Sequence, residues 1–107
     1  EISFNYEGDW KDVMNTLHPT PAVCGMLREQ AKRIIEDLEI HDREYYTGLI
    51  GIEQGDNADV YVILRCLKYS ERMLHVFVGA GITEGSVPAF EARETRWKAD
   101  SLTSVIF

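Results

Sequence analysis

The sequence predicts an α+β fold, with helices packed on one side of a largely antiparallel sheet. Two observations carry that expectation. Early in the chain, apolar residues recur at helical spacing, at Trp10, Val13, Met14 and Leu17 and again at Leu27, Ala31, Ile34, Ile35 and Leu38. Past His41 the period changes, and the apolar runs are joined by turns too short for the crossovers that parallel strands require.

The opening EISFNYEGDW has no clear assignment and reads as a strand remnant or a tail. A first helix is expected over about Asp9 to Leu17, with Asp9 as N-cap. HPTPAVCG then reads as a rigid loop, because Pro19 and Pro21 each push the preceding residue toward extended geometry. A second helix is expected from about Met26 to Leu38, its apolar stripe on one side and its charges on the other. Tyr45 to Ile52, Asp59 to Leu67 and Met73 to Val78 read as three strands, separated by QGDNAD and KYSER. In the middle strand Val60, Val62, Leu64 and Cys66 share one face, and Tyr61, Ile63, Arg65 and Leu67 the other. Arg65 is therefore a charge inside an apolar strand. It is either a surface arginine snorkelling to water or a planar fork held for a carboxylate.

The last stretch, GAGITEGSVPAFEARETRWK, combines a flexible turn, a helix start and aligned charges. Gly79 and Gly81 flank Ala80, where the backbone is expected to adopt conformations closed to other residues and to approach a ligand closely. Pro88 suits the first turn of a final helix, and Ser86 is placed to cap it. On that helix Glu91, Glu94 and Lys98 fall at i, i+3 and i+7, on one face, beside an arc of Phe90, Trp97 and Val105 expected to be buried. The pattern admits an ordinary Glu94–Lys98 surface pair, or two carboxylates for a hard divalent cation.

Composition narrows the function. The 107 residues suffice for one small domain, and 27% charged with 45% hydrophobic residues are globular values. A net charge of -7 argues against a nucleic-acid partner. No apolar run reaches the roughly eighteen residues of a membrane span, and no signal-peptide profile opens the chain. Cys24 and Cys66 stand in no metal or redox spacing and are expected as reduced thiols of a cytoplasmic protein.

Gly79-Ala80-Gly81 followed by Ser86, Pro88, Glu91, Glu94, Thr95 and Lys98 resembles the C-terminal signature S-x-P-x-x-E-x-x-E-T-x-x-K of the chorismate-utilising enzymes. LHPTPAVCG, Leu17 to Gly25, is similar to the loop of isochorismate synthases within that family. DREYYTG, Asp42 to Gly48, resembles the family's D-R-G-x-Y-x-G, and LRC around Arg65 resembles the strand whose arginine grips a substrate carboxylate. The motifs occur in family order over nearly the whole chain. Glu44, Leu49 and Leu27 depart from it, standing where glycine, proline and a Gly-x-Pro turn are usual, and put the loop geometry in question.

The resemblance implies that Arg65, Tyr46 and the backbone of Gly79, Ala80 and Gly81 hold the carboxylates of chorismate. It implies Glu94 as a ligand of a catalytic Mg2+, Glu91 as its metal-shell partner, Lys98 as a charge near substrate and metal, and His18 as a residue that orders its loop. At Ala22 isochorismate synthases have alanine, and the salicylate-, anthranilate- and aminodeoxychorismate-forming enzymes have threonine. Ala22 therefore implies addition of water to give isochorismate, in menaquinone or siderophore-type metabolism, rather than an ammonia-using component. The family's general base, general acid and another metal-binding glutamate have no counterpart in these residues. The chain is thus expected to be the C-terminal portion of one larger chorismate-binding domain, inactive and prone to self-association alone. The other reading is a non-catalytic module with vestigial motifs.

Overall fold

The computed structural model describes residues 1–106. Its elements are helices α1 (Trp10–Leu17), α2 (Pro21–Cys24), α3 (Arg28–Leu38) and α4 (Pro88–Thr103), with strands β1 (Leu49–Gln54), β2 (Asn57–Val62), β3 (Cys66–Ser70) and β4 (Met73–Phe77). The class is mixed α+β.

Local chemistry sets the helix ends. Asp9 caps α1, its carboxylate accepting from Lys11 N–H at 2.9 Å. At the other end the Arg28 guanidinium donates to the carbonyls of Thr16 and Leu17 at 3.0 and 2.9 Å, satisfying acceptors that α1 leaves open. The stretch expected as a loop contains the single turn α2, because Pro21 sits at its first position, where its missing N–H removes no bond. Leu27 precedes α3 at φ +58, which no proline could reach, so this departure from the family pattern goes with a different backbone. Pro88 opens α4, as expected. The residue before it, Val87, occupies the cap position without a side-chain bond, so Ser86 is not the cap; its Oγ instead accepts from Thr83 N–H at 2.9 Å.

The strands are antiparallel but do not form one sheet. β1 pairs only with β2 and β3 only with β4, giving two separate hairpins. The strand expected over Asp59 to Leu67 breaks at Ile63–Arg65. Ile63 exhausts the first ladder, its N–H donating to Gly48 O at 2.9 Å and its carbonyl accepting from Thr47 N–H at 2.8 Å. Its partner strand begins at Leu49 rather than Tyr45, because Glu44 and Thr47 adopt φ +49 and +63 and hold 44–47 in a turn. Each hairpin closes through two residues. Gly55, at φ +60, takes the first position of one; Glu71 and Arg72, at φ +52 and +65, fill both positions of the other, as a type I′ turn demands.

The described residues have almost no interior. Cys24 is the one buried hydrophobic side chain, and Ile50, Ile52 and Tyr61 on one face of the first hairpin are 61, 66 and 63% exposed. The arc expected to be buried on α4 is open as well: Phe90, Trp97 and Val105 are exposed. The chain presents 9217 Å2 of surface, where a compact chain of this mass presents about 6,100 Å2. Its radius of gyration is 16.3 Å, against about 13 Å for a compact chain of this length. Among the described residues no helix is long and apolar enough to cross a membrane.

Candidate functional site

The turn at 44–47, the bend at Ile63–Arg65, the segment after β4 and the inner side of α4 enclose a cleft of about 360 Å3. Ala22, Tyr46, Arg65, Gly79, Ala80, Gly81 and Lys98 all line it. Around them stand Val23, Glu39, His41, Arg43, Thr47, Leu64 and Val78. The lining holds three cations, Arg43, Arg65 and Lys98, and one carboxylate, Glu39, a positive balance within an acidic chain.

Arg65 sits in the bend between hairpins, not inside a strand, and its Nη1 donates to Ser101 Oγ of α4 at 3.1 Å. Lys98, one of the less exposed residues of α4, donates from Nζ to Gly79 O at 2.9 Å and pairs with Glu94 at 2.5 Å. That bond ties α4 to the glycine segment.

Neither Gly79 nor Gly81 lies in the left-handed region, so the conformational reason expected for glycine there does not hold. Space is the reason at Gly79. A Cβ there would stand 2.3 Å from the Tyr46 hydroxyl, whereas one at Gly81 would meet nothing within 4 Å. The Tyr46 ring stacks on Phe77 at 6.2 Å between centroids, and the Arg43 guanidinium lies 5.7 Å from its centre. Burial pushes the Tyr46 phenol above its ordinary pKa, with Arg43 acting in the opposite sense, so the hydroxyl remains a donor at neutral pH.

Glu91 and Glu94 stand one turn apart on α4 and outside the cleft lining. Among the described residues no group of three or more His, Cys, Asp or Glu side chains could hold a metal ion. Two carboxylates are nonetheless a donor set that fits Mg2+, which keeps several waters and takes further oxygen ligands from a substrate. His18 caps the end of α1 through its N–H, bonded to Met14 O at 2.8 Å; its Nδ1 is buried with no hydrogen-bond partner among the described residues.

Sequence reasoning assigned no role to Arg43, the best-connected side chain of the cleft. Nε donates to one Glu39 oxygen at 2.7 Å and Nη2 to the other. Nη1 donates to Val23 O at 3.0 Å and, more weakly, to Thr47 Oγ1 at 3.4 Å. This fork holds the Glu39 carboxyl below its ordinary pKa and raises that of Arg43. The only advance signal was its place after Asp42 in the D-R motif.

The model of the chorismate binding enzyme family matches residues 4–104. The chain belongs to the chorismate-binding enzyme family. Within it, the chain is 41% identical over 87 residues to the vibriobactin-specific isochorismate synthase of Vibrio cholerae, covering 80% of this chain and 22% of that protein. It is 39% identical over 100 residues to the isochorismate synthase MenF of Pasteurella multocida, covering 90% and 23%. A plant relative, the chloroplastic isochorismate synthase of Catharanthus roseus, is 36% identical over 101 residues, covering 94% and 17%. The chain therefore spans about a quarter or less of the relatives it matches. No solved structure gives a significant match.

Proposed function

We propose that the chain is the substrate- and magnesium-binding end of an isochorismate synthase, one portion of a larger chorismate-binding catalytic domain. The observation that carries the reading is the convergence of Ala22, Tyr46, Arg65, Gly79, Ala80, Gly81 and Lys98, distant in sequence, on one cationic cleft. Chorismate is a dianion. Arg65 offers a planar fork to a carboxylate, Tyr46 a neutral hydroxyl donor, and the Gly79–Gly81 backbone an approach unobstructed by side chains beyond a methyl group. Lys98 adds charge from α4.

In the reaction, the oxygen of water bonds to one end of the allylic system as the C–O bond to the hydroxyl at the other end breaks and the double bonds shift. A base takes a proton from the water and an acid supplies one to the departing hydroxyl. Ala22 contributes a methyl wall with no hydroxyl of its own, leaving room for the attacking water. Glu39 makes a poor base, since Arg43 holds both its oxygens and depresses its pKa. We assign the base and acid to the rest of the domain, which also gives the exposed apolar surface its cover. Glu94, with Glu91 in support, would hold Mg2+. Bound there, the ion supplies positive charge against the substrate carboxylate.

The test is a chromatographic product assay on the intact protein with chorismate and Mg2+. Isochorismate is expected, with little salicylate or pyruvate, as the input to menaquinone or siderophore-type synthesis in the cytoplasm. Anthranilate or aminodeoxychorismate formed with ammonia would overturn the reading of Ala22. Turnover by the 107 residues alone would overturn the assignment of base and acid elsewhere.

A further inference from the structure

Four of the five N–H bonds of the Arg43 guanidinium have acceptors in three different stretches: Glu39 just past α3, Val23 in α2, and Thr47 in the turn before β1. Val23 adjoins Ala22, and Thr47 adjoins Tyr46. The same cation lies 5.7 Å from the Tyr46 ring centre. Two walls of the cleft, separated by more than twenty residues of chain, thus meet on one planar group.

We propose that Arg43 is a positioning residue that sets the distance between the Ala22 wall and the Tyr46 hydroxyl, and thereby the fit of the substrate. The proposal rests on the reading of the cleft as a chorismate site. Among the described residues no other side-chain hydrogen bond or ion pair joins α2 to the turn: the Glu44–Lys68 pair, at 2.7 Å, links the turn to the second hairpin instead. Lysine cannot replace the fork. It keeps the positive charge but not the fixed planar geometry that reaches two carboxylate oxygens and a carbonyl together. A role in attracting the dianion survives Arg43→Lys, and a role in geometry does not.

The experiment measures kcat, KM and thermal stability of the intact protein with chorismate as Arg43→Lys, Tyr46→Phe and the double variant. Glu39→Gln, which keeps the side-chain shape and loses the charged acceptor, serves as a milder variant should Arg43→Lys fail to fold. In Arg43→Lys, KM rises about tenfold or more, the loss expected from a missing charge-assisted contact, while kcat changes less than threefold, since the walls bind ground and transition states alike. The KM increase in the double variant is smaller than the product of the two single increases, because both act on the Tyr46 hydroxyl. Glu39→Gln shifts KM in the same direction. A KM within twofold of wild type in every folded variant, increases that multiply fully, or activity falling only with the folded fraction would overturn the positioning role. Wild-type protein that neither binds nor converts chorismate would overturn the reading of the cleft itself, and this proposal with it.

Discussion

Adding one methyl group at Gly79 tests how tightly the cleft is built. In Gly79→Ala the new Cβ would stand 2.3 Å from the Tyr46 hydroxyl, about 1 Å inside an ordinary contact. The ring is not free to swing away without loss, because it stacks on Phe77 and lies beside Arg43. Overpacking of this size costs about 1–3 kcal/mol. The next ring atom, Cζ, would be 3.5 Å away, an ordinary separation, so deleting the hydroxyl removes the clash altogether. No hydrogen bond of that hydroxyl is seen among the described residues, so Tyr46→Phe alone is expected to cost less than about 1 kcal/mol. Urea unfolding of the intact protein as wild type, both single variants and the double variant closes a thermodynamic cycle. Tyr46→Phe should restore most of what Gly79→Ala loses, with a coupling of about 1–3 kcal/mol. A Gly79→Ala variant as stable as wild type, or a double variant no better than Gly79→Ala, would refute the steric account of this glycine.

Glu71 and Arg72 both hold positive φ in a two-residue turn without the residues that prefer it, so Glu71→Asn with Arg72→Gly should stabilise by about 1 kcal/mol; an unchanged or lower urea midpoint would dismiss the type I′ assignment. The Glu39 carboxyl is depressed below its ordinary 4.5 by Arg43, so its stabilisation is fully present above that pH and is lost as pH falls through the lowered pKa. Glu39→Gln should flatten that acid limb of a stability-versus-pH curve, and a curve of unaltered shape would sink the claim. On the proposed function, Glu94→Ala in the intact protein should abolish magnesium-dependent turnover, whereas Arg65→Ala should raise KM and leave metal affinity nearly intact; wild-type turnover by Glu94→Ala at low magnesium would unseat Glu94 as a ligand. The 107 residues alone should self-associate or melt with low cooperativity, given their open apolar faces; a stable, monodisperse monomer in the ultracentrifuge would contradict this.

Features governed by adjacent residues were legible in the sequence. The start of α1 follows from the Asp9 carboxylate and the start of α4 from Pro88, each a matter of a few backbone groups. The alternation in β2 is visible in Val60 and Val62, which are half-buried while Asp59 and Tyr61 are exposed. What failed depended on partners far along the chain. No periodicity could locate the break at Ile63–Arg65, because it is set by where the opposing turn releases its last hydrogen bonds to Ile63. The burial expected for Phe90, Trp97 and Val105 failed for a related reason. A helical pattern identifies a face that is suited to burial, but nothing among the described residues packs over it.

The same distinction bears on the site. Residue type and spacing singled out Arg65 and Lys98 as cations, yet their usefulness depends on what fixes their heads, Ser101 for one and the Gly79 carbonyl for the other. Sequence reasoning also expected the glycines for their backbone freedom, whereas the need at Gly79 arises from a tyrosine hydroxyl thirty-three positions earlier. Arg43 is the extreme case: its spacing is uninformative, and its importance lies in four acceptors spread over three stretches of chain. A carboxylate-binding cleft needs cations that are both present and immobile. Presence can be read from residue types, whereas immobility comes from tertiary hydrogen bonds. Substitutions that preserve charge while breaking those bonds, such as Arg43→Lys, therefore separate the two requirements more sharply than any change to alanine.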